Sequence, residues 1–455
     1  MFQTLKNAWK IPELKSKILF TLMIIVIYRV GSNLPMPWID PNAINGAFST
    51  GGSALAWLNT LSGGALAKGT LFALSVSPYI TASIVVQLLC VAIKKLEEWG
   101  KDEAGKKKLS MLTRGLTAGL ALVTAIGYTL MLEGGGGSGS ALTVSSNSKQ
   151  IWFVRIVLVL TYCAGASLIM WLAEKINEKG IGNGISIILF ISIVSRLPQM
   201  FYSLCMRCFS RWTVFAKNGF ELWRLVQWPI GVLLVALFVG ILLAATVAVI
   251  WFSNSERRIP VQYAKRVVGR KMYGGQSTTL PLKLDMAGVM PVIFASSIVS
   301  ILPTIVSIFL KTTNKFRIFV ESYLGYTSFP YIAMQTILII LFAYFYIMIS
   351  FNPVEVSNNL RNNGGAIPGI RPGKPTVDYI KKILHRITLL GAIFLCVLSG
   401  LPMIVNAIWT AIDSRGIPDL AFSGTSLLIV VGVALETFRE LEAQMTLRNY
   451  KGFLD

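Results

Sequence analysis

The sequence predicts an all-α polytopic membrane protein: ten transmembrane helices in two inverted five-helix halves, with one re-entrant helix. Three observations predict it. The 455 residues are 54% hydrophobic and only 14% charged, with a mean hydropathy of +0.64, which is far more apolar than a soluble domain. Apolar runs of about 20 residues recur from end to end, each long enough as a helix to cross a hydrocarbon layer of roughly 30 Å. A short pattern also repeats between the two halves of the chain.

The predicted spans are 17–34, 71–93, 111–133, 151–174, 184–206, 229–252, 287–310, 331–351, 380–402 and 424–441. Segment 50–66 is apolar but short and glycine-interrupted, so it reads as a re-entrant piece packed against protein. No cleavable signal peptide is expected, because the N-terminus lacks a small-residue cleavage site and runs on into Arg29. These spans divide the chain into an N-terminal half, 1–206, a C-terminal half, 207–441, and a tail, 442–455.

The net charge of +21 raises the question of nucleic acid, and its distribution answers it. Most of the 42 Lys and Arg fall in alternate loops, among them Lys106, Lys107, Lys108, Arg257 and Arg258. That bias places those loops and both termini in the cytoplasm. Of the five cysteines, Cys205 and Cys208 are spaced CxxC at the expected outer end of the fifth span. Either a disulfide or two small residues on a helix end fits them, and the second is favoured, since no other cysteine pair or nearby His completes a metal site. Cys90, Cys163 and Cys396 read as packing.

Charge deep in a bilayer marks ion and proton relays, and the spans carry almost none. Arg29, Glu174, Lys175, Glu436 and Arg439 all fall near predicted helix ends, where long side chains reach water. His385, the single histidine, lies in a basic helix start. A proton-coupled transporter and an intramembrane protease are therefore disfavoured. No phosphate-binding loop followed by Lys-Ser or Lys-Thr occurs, and the GGGGSG run at 134–139 reads as a flexible linker. Neither a cofactor nor an enzymatic activity is expected.

Pro78-Tyr79-Ile80-Thr81-Ala82-Ser83 in the second span and Pro291-Val292-Ile293-Phe294-Ala295-Ser296 in the seventh both read P-x-I-x-A-S. Five spans apart, they run oppositely across the membrane, as an inverted repeat requires. Aliphatic stripes lie near the implied axis: Val76 and Ile80 are one helical turn apart, as are Ile185 and Leu189. Core packing is the ordinary meaning of such stripes; a passage lined by them would dewet and resist ions. Loops 253–286 and 352–379 mix Arg and Lys with Gly, Pro and aromatic residues, which suits docking of an acidic surface.

The strings SGGAL (62–66), PYITASIVVQLL (78–89), GIGNGISI (180–187), RRIPVQYAKR (257–266), QSTTLPLKLDMAGVMPVIFASSI (276–298), PGIRPG (368–373) and SGTSLLIVVGV (423–433) resemble the SecY family over nearly the whole chain. The resemblance implies the channel-forming subunit of the bacterial plasma-membrane Sec translocase, a passive conduit for secretory polypeptides and for lateral insertion of membrane proteins. It implies a pore ring of Val76, Ile80, Ile185, Leu189, Ile293 and Ile429, and a plug over 54–66 with Asn59 and Leu61 facing the ring. A lateral gate would carry Gln87 and Ser297 as polar contacts, between spans two and three on one side and seven and eight on the other. The implied partners are SecE, SecG, the SecA motor ATPase or the ribosome docking on Arg257, Arg258 and Arg371, polypeptides bearing signal peptides, and YidC and SecDF. Nucleic acid enters only through the ribosome.

Overall fold

A computed structural model of the chain describes residues 8–40, 44, 58–59, 61–134, 142, 148–199, 201–202, 224–263, 266–268, 271–273, 277–309, 314–323, 328–412 and 424–451. Cys205, Cys208 and residues 54–57 and 60 of the segment expected to be a plug lie outside them, as does nearly all of the GGGGSG run. The first half contributes α1 (Pro12–Gly31), α2 (Ser77–Ala92), α3 (Lys94–Lys101), α4 (Glu103–Gly134), α5 (Ser148–Lys179) and α6 (Gly184–Val194). The second contributes α7 (Arg224–Asn254), α8 (Met290–Phe309), α9 (Lys315–Tyr323), α10 (Phe329–Ser350), α11 (Pro353–Asn362), α12 (Lys374–Ile412) and α13 (Gly424–Lys451). Each of the ten expected apolar runs overlaps a helix among the described residues, although that of the run expected over 184–206 ends at Val194.

Helix starts follow local chemistry. Proline stands in the first turn of α1, α2, α10 and α11, where its missing N–H costs nothing. Asn352 caps α11 by accepting from the Val354 N–H at 3.1 Å, and Asn183 caps α6 by accepting from Ile185 N–H, also at 3.1 Å. By length and composition, four helical stretches among the described residues can cross a membrane alone: Glu103–Glu133, Gln150–Lys179, Phe329–Asn362 and Lys374–Gly400. A fifth is the pair α2 and α3, which bends by 112° where Ile93 turns extended.

Large apolar side chains face outward: Phe329 is 81% exposed and Trp251 74%, an arrangement suited to lipid and not to water. Hydroxyls along the helices turn inward on their own backbone. Thr117 donates to Thr113 O at 2.7 Å, Thr161 to Val157 O at 2.6 Å and Thr388 to Leu384 O at 2.7 Å, which satisfies these three donors within their own helices.

In the first half α4 packs on α2 and α5, and α5 on α1 and α6; in the second, α8 packs on α10, α10 on α12, and α13 on α7 and α12. The two sets meet where α6 packs on α13 and where α8 packs on α2 and α4.

The helical class holds, but all-α does not: the polar loop after α7 forms strands β1 (Glu256–Tyr263), β2 (Arg266–Val268), β3 (Lys271–Tyr273) and β4 (Ser277–Lys283). β1 pairs antiparallel with β4 and also with β5 (Gly365–Ala366), giving the order β4-β1-β5, while β2 and β3 form a separate hairpin. Ile259 and Leu282 from this sheet are buried with Ile367 and with Ile380, Leu384 and Ile387 of α12. The two long polar loops are thereby one folded unit, seated on the first turns of α12.

Candidate functional site

The six predicted ring residues come from the chain at the start of α2 and from α6, α8 and α13, and they lie in or against a larger hydrophobic cluster that also takes Tyr28 of α1, Ile169 of α5, Val249 of α7, Phe342 of α10 and Leu395 of α12. Just before α2, Ser75 takes a left-handed φ of 53° and Val76 stands at the N-cap; Val76 and Ile80 are 1% and 5% exposed. On α8 the matching Pro291 stands in the same early helical position, and Ile293 is 6% exposed. Leu189 on α6 and Ile429 on α13 are 1% and 0% exposed, and Ile185 packs half-buried beside them. Five of the six predicted ring residues, together with Leu61, are buried in one contiguous cluster, and the sixth, Ile185, packs against it.

Two close approaches make this convergence possible. A side chain at Gly184 would lie 2.0 Å from the Ala173 carbonyl oxygen, and one at Gly432 would lie 2.2 Å from Val289 Cγ2. Glycine at those positions lets α6 lie against α5 and α13 against the start of α8.

Next to the cluster, residues 58–59 and 61–76 are joined by a set of local hydrogen bonds. Asn59 Oδ1 accepts from Ala67 N–H at 3.0 Å, Ser62 Oγ donates to Asn59 O at 3.0 Å, and Ser75 Oγ donates to Leu61 O at 3.3 Å. Leu61 reaches the aliphatic cluster; Asn59, also buried, spends its amide oxygen inside its own loop. Gln87 and Ser297 are half-buried on α2 and α8, which pack together. Gln87 Nε2 donates to Ser83 Oγ at 3.4 Å, and the Ser297 carbonyl accepts from Ser300 Oγ at 2.9 Å. No hydrogen bond joins Gln87 to Ser297 among the described residues.

Arg257, Arg258 and Arg371 are exposed. The first two lie on β1, where Arg258 pairs with Glu256 at 2.7 Å. Arg371 lies in the turn before α12, whose backbone is fixed by Thr376 Oγ1 donating to Arg371 O at 2.9 Å. The shared sheet connects the loops that carry them.

Two polar junctions escaped the sequence reading. At the root of the β1–β4 hairpin, Arg439 of α13 donates to Ser253 O at 2.6 Å and to Asn254 Oδ1 at 2.8 Å, capping the last carbonyls of α7. Ser253 Oγ donates in turn to Asp285 Oδ2 at 3.3 Å. Burial holds the Asp285 carboxyl above its ordinary value, against the opposing pull of Ser253, the Gly288 N–H, Arg439 and Lys283. The second junction is Gln335, which donates from α10 to Ser296 Oγ on α8 at 3.4 Å and to Ser399 Oγ on α12 at 3.1 Å. A buried amide inside an apolar run was the available signal for it.

Apolar helices facing outward around a shared aliphatic cluster, with a folded basic loop unit at one end, define a multi-pass membrane protein. Comparison with known proteins then makes the family plain. The SecY family model matches residues 70–438. The protein translocase subunit SecY of Streptomyces coelicolor is 40% identical over 460 residues, covering 100% of both chains. A solved structure described as that of a protein conducting channel aligns with a TM-score of 0.62 at 15% identity, covering 95% of this chain and 92% of that one. Sec61 in the canine ribosome-channel complex aligns with a TM-score of 0.56 at 14% identity, over the same shares. The chain belongs to the SecY family.

Proposed function

We propose that the chain is the channel-forming subunit of a bacterial Sec translocase, a hydrophobically gated conduit that performs no bond chemistry. The observation that carries this reading is the convergence of Val76, Ile80, Ile185, Leu189, Ile293, Ile429 and Leu61 in and against one cluster drawn from both halves of the chain. Ten helices cross the plasma membrane in two inverted five-helix halves, with both termini in the cytoplasm. The six aliphatic side chains are the ring, and residues 54–66 are the plug below it. An aliphatic ring dewets when empty and seals against ions. Around a passing chain it closes by dispersion contacts that make no demand on sequence.

The lateral gate lies between α2 and α4 on one side and α8 and α10 on the other, with Gln87 and Ser297 along it. A signal peptide leaving through this gate gains roughly 0.8 kcal/mol per methylene buried in lipid, which offsets the gate and plug contacts it breaks. SecA or the ribosome supplies the drive and docks on the folded loop unit through Arg257, Arg258 and Arg371; the ribosome-bound Sec61 neighbour and the exposure of all three arginines support that placement. SecE clamps the halves, SecG binds peripherally, and YidC and SecDF cooperate in insertion and export.

Deleting residues 54–62 tests the reading. A folded product that leaks small ions at rest in planar bilayers supports it. An unfolded product, or a deletion channel as silent as the intact one, would return this segment to the structural core.

A further inference from the structure

We propose that Tyr128 is a positioning residue that ties the root of the plug to α4, so that α4 cannot leave α8 without loading the bond that holds the plug. The proposal rests on the reading of 54–66 as the plug and of the α4–α8 contact as part of the gate. Tyr128 Oη donates to the Leu66 carbonyl oxygen at 2.5 Å across 62 residues of sequence, and both residues are buried, 2% and 5% exposed.

The segment that receives this bond is cross-braced within itself. Besides the Asn59 to Ala67 bond and the Ser62 to Asn59 bond, Leu66 N–H donates to Ser62 Oγ at 3.1 Å and Gly64 N–H to Asn59 O at 2.9 Å. These bonds brace Asn59 and residues 61–67 against one another. The Leu66 carbonyl takes a second donor, Gly69 N–H at 3.2 Å, which also closes a turn within the chain's own neighbourhood. The Tyr128 bond is the one of the two that reaches α4.

The braced segment also spans two clusters. Leu61 packs in the aliphatic cluster of the ring, while Leu66 and Ala67 pack with Ala125, Tyr128 and Leu132 of α4 and with Leu158 and Tyr162 of α5. Since α4 packs on α8 and α2 as well, one helix touches both the gate and the plug's root. A shift of α4 stretches a short, buried hydrogen bond for which hydrocarbon offers no replacement donor.

The structure supplies a matched control. Tyr162 stands edge-on to Tyr128 with ring centroids 5.2 Å apart in the same cluster, yet its buried hydroxyl has no hydrogen-bond partner among the described residues. Tyr128→Phe and Tyr162→Phe remove the same atom from neighbouring rings and differ in whether a plug bond is lost.

The test uses the full chain in the complex purified from its membranes, in planar bilayers, with the 54–62 deletion as reference. Tyr128→Phe is expected to raise resting ion conductance several-fold and to increase export of substrates with defective signal peptides. Tyr162→Phe should track the wild type, and both variants should melt in detergent near the wild-type temperature. A leaking deletion beside a silent Tyr128→Phe overturns the proposal while leaving the plug reading intact. Equal leaks from both tyrosine variants also overturn it, assigning the effect to ring packing. A silent deletion sinks the plug reading, and this proposal with it.

Discussion

Ile80 and Ile293 hold the same place in two helices of opposite halves: each lies two residues beyond an early-helix proline, and each is buried in the same cluster. The proline sets where the helix begins, so a shared P-x-I-x-A-S spacing fixes how far into the helix the isoleucine sits. Two chain segments 213 residues apart, at 80 and 293, thereby deliver aliphatic side chains to one point.

Arg371→Glu should block motor-driven export while leaving the protein folded and inserted. Charge reversal on an exposed loop costs affinity for an acidic partner through like-charge contact, and among the described residues the Arg371 side chain has no hydrogen bond or ion pair to lose. Export rates in reconstituted vesicles check this; wild-type rates from the reversed residue would remove Arg371 from the docking surface.

Asp285 carries a pH dependence whose sign follows from its surroundings. Its folded-state pKa is raised above the ordinary 3.8, so the folded protein binds this proton more readily than the unfolded chain does. Stability from this group therefore grows as pH falls through the raised value, and the gain is complete below the unfolded value. Asp285→Asn should flatten that segment of the curve while keeping the Ser253 contact through its amide oxygen. Melting temperatures in detergent across the acid range read the difference, and parallel curves for both proteins would count against it.

Gly184→Ala should destabilise by about 1–3 kcal/mol, as overpacking of a tight contact does, because the new Cβ would meet the Ala173 carbonyl oxygen at 2.0 Å. The displaced start of α6 would carry Ile185 and Leu189 with it. Thermal melting checks the direction, and an unchanged midpoint would mean that α5 and α6 separate freely.

Much of the helical layout was legible because lipid exposure leaves long uninterrupted apolar runs, and prolines marked several starts. The end of the second span at Ile93 was read from the sequence, but the short helix that follows it at 112° was not, since its charged residues break the apolar run. The sheet was missed for a different reason. Ile259 and Val261 alternate with exposed residues as a half-buried strand requires, but Pro260 and Pro281 interrupt the runs, and proline inside a strand argues against one. Pro260 is tolerated because β5 pairs β1 only at Gln262 and Tyr263. The aliphatic stripes were visible, yet composition could not tell ring from core; the resemblance singled out the six residues, and the fold brought them together. Tyr128 carried no pattern, and Gln335 only that of a lone amide in an apolar run, because a single polar group there reveals its partner only when the helices pack.

The ring itself is tested most directly by Ile429→Asn, read as a pair of measurements on one preparation: detergent melting temperature and resting ion conductance. If Ile429 lines a hydrophobic constriction, water reaches the new amide, the ring no longer dewets, and the variant melts near the wild type while conducting more ions at rest. If Ile429 is ordinary core, the buried amide and lost packing cost on the order of 2–5 kcal/mol. A large fall in melting temperature with conductance unchanged would contradict the account.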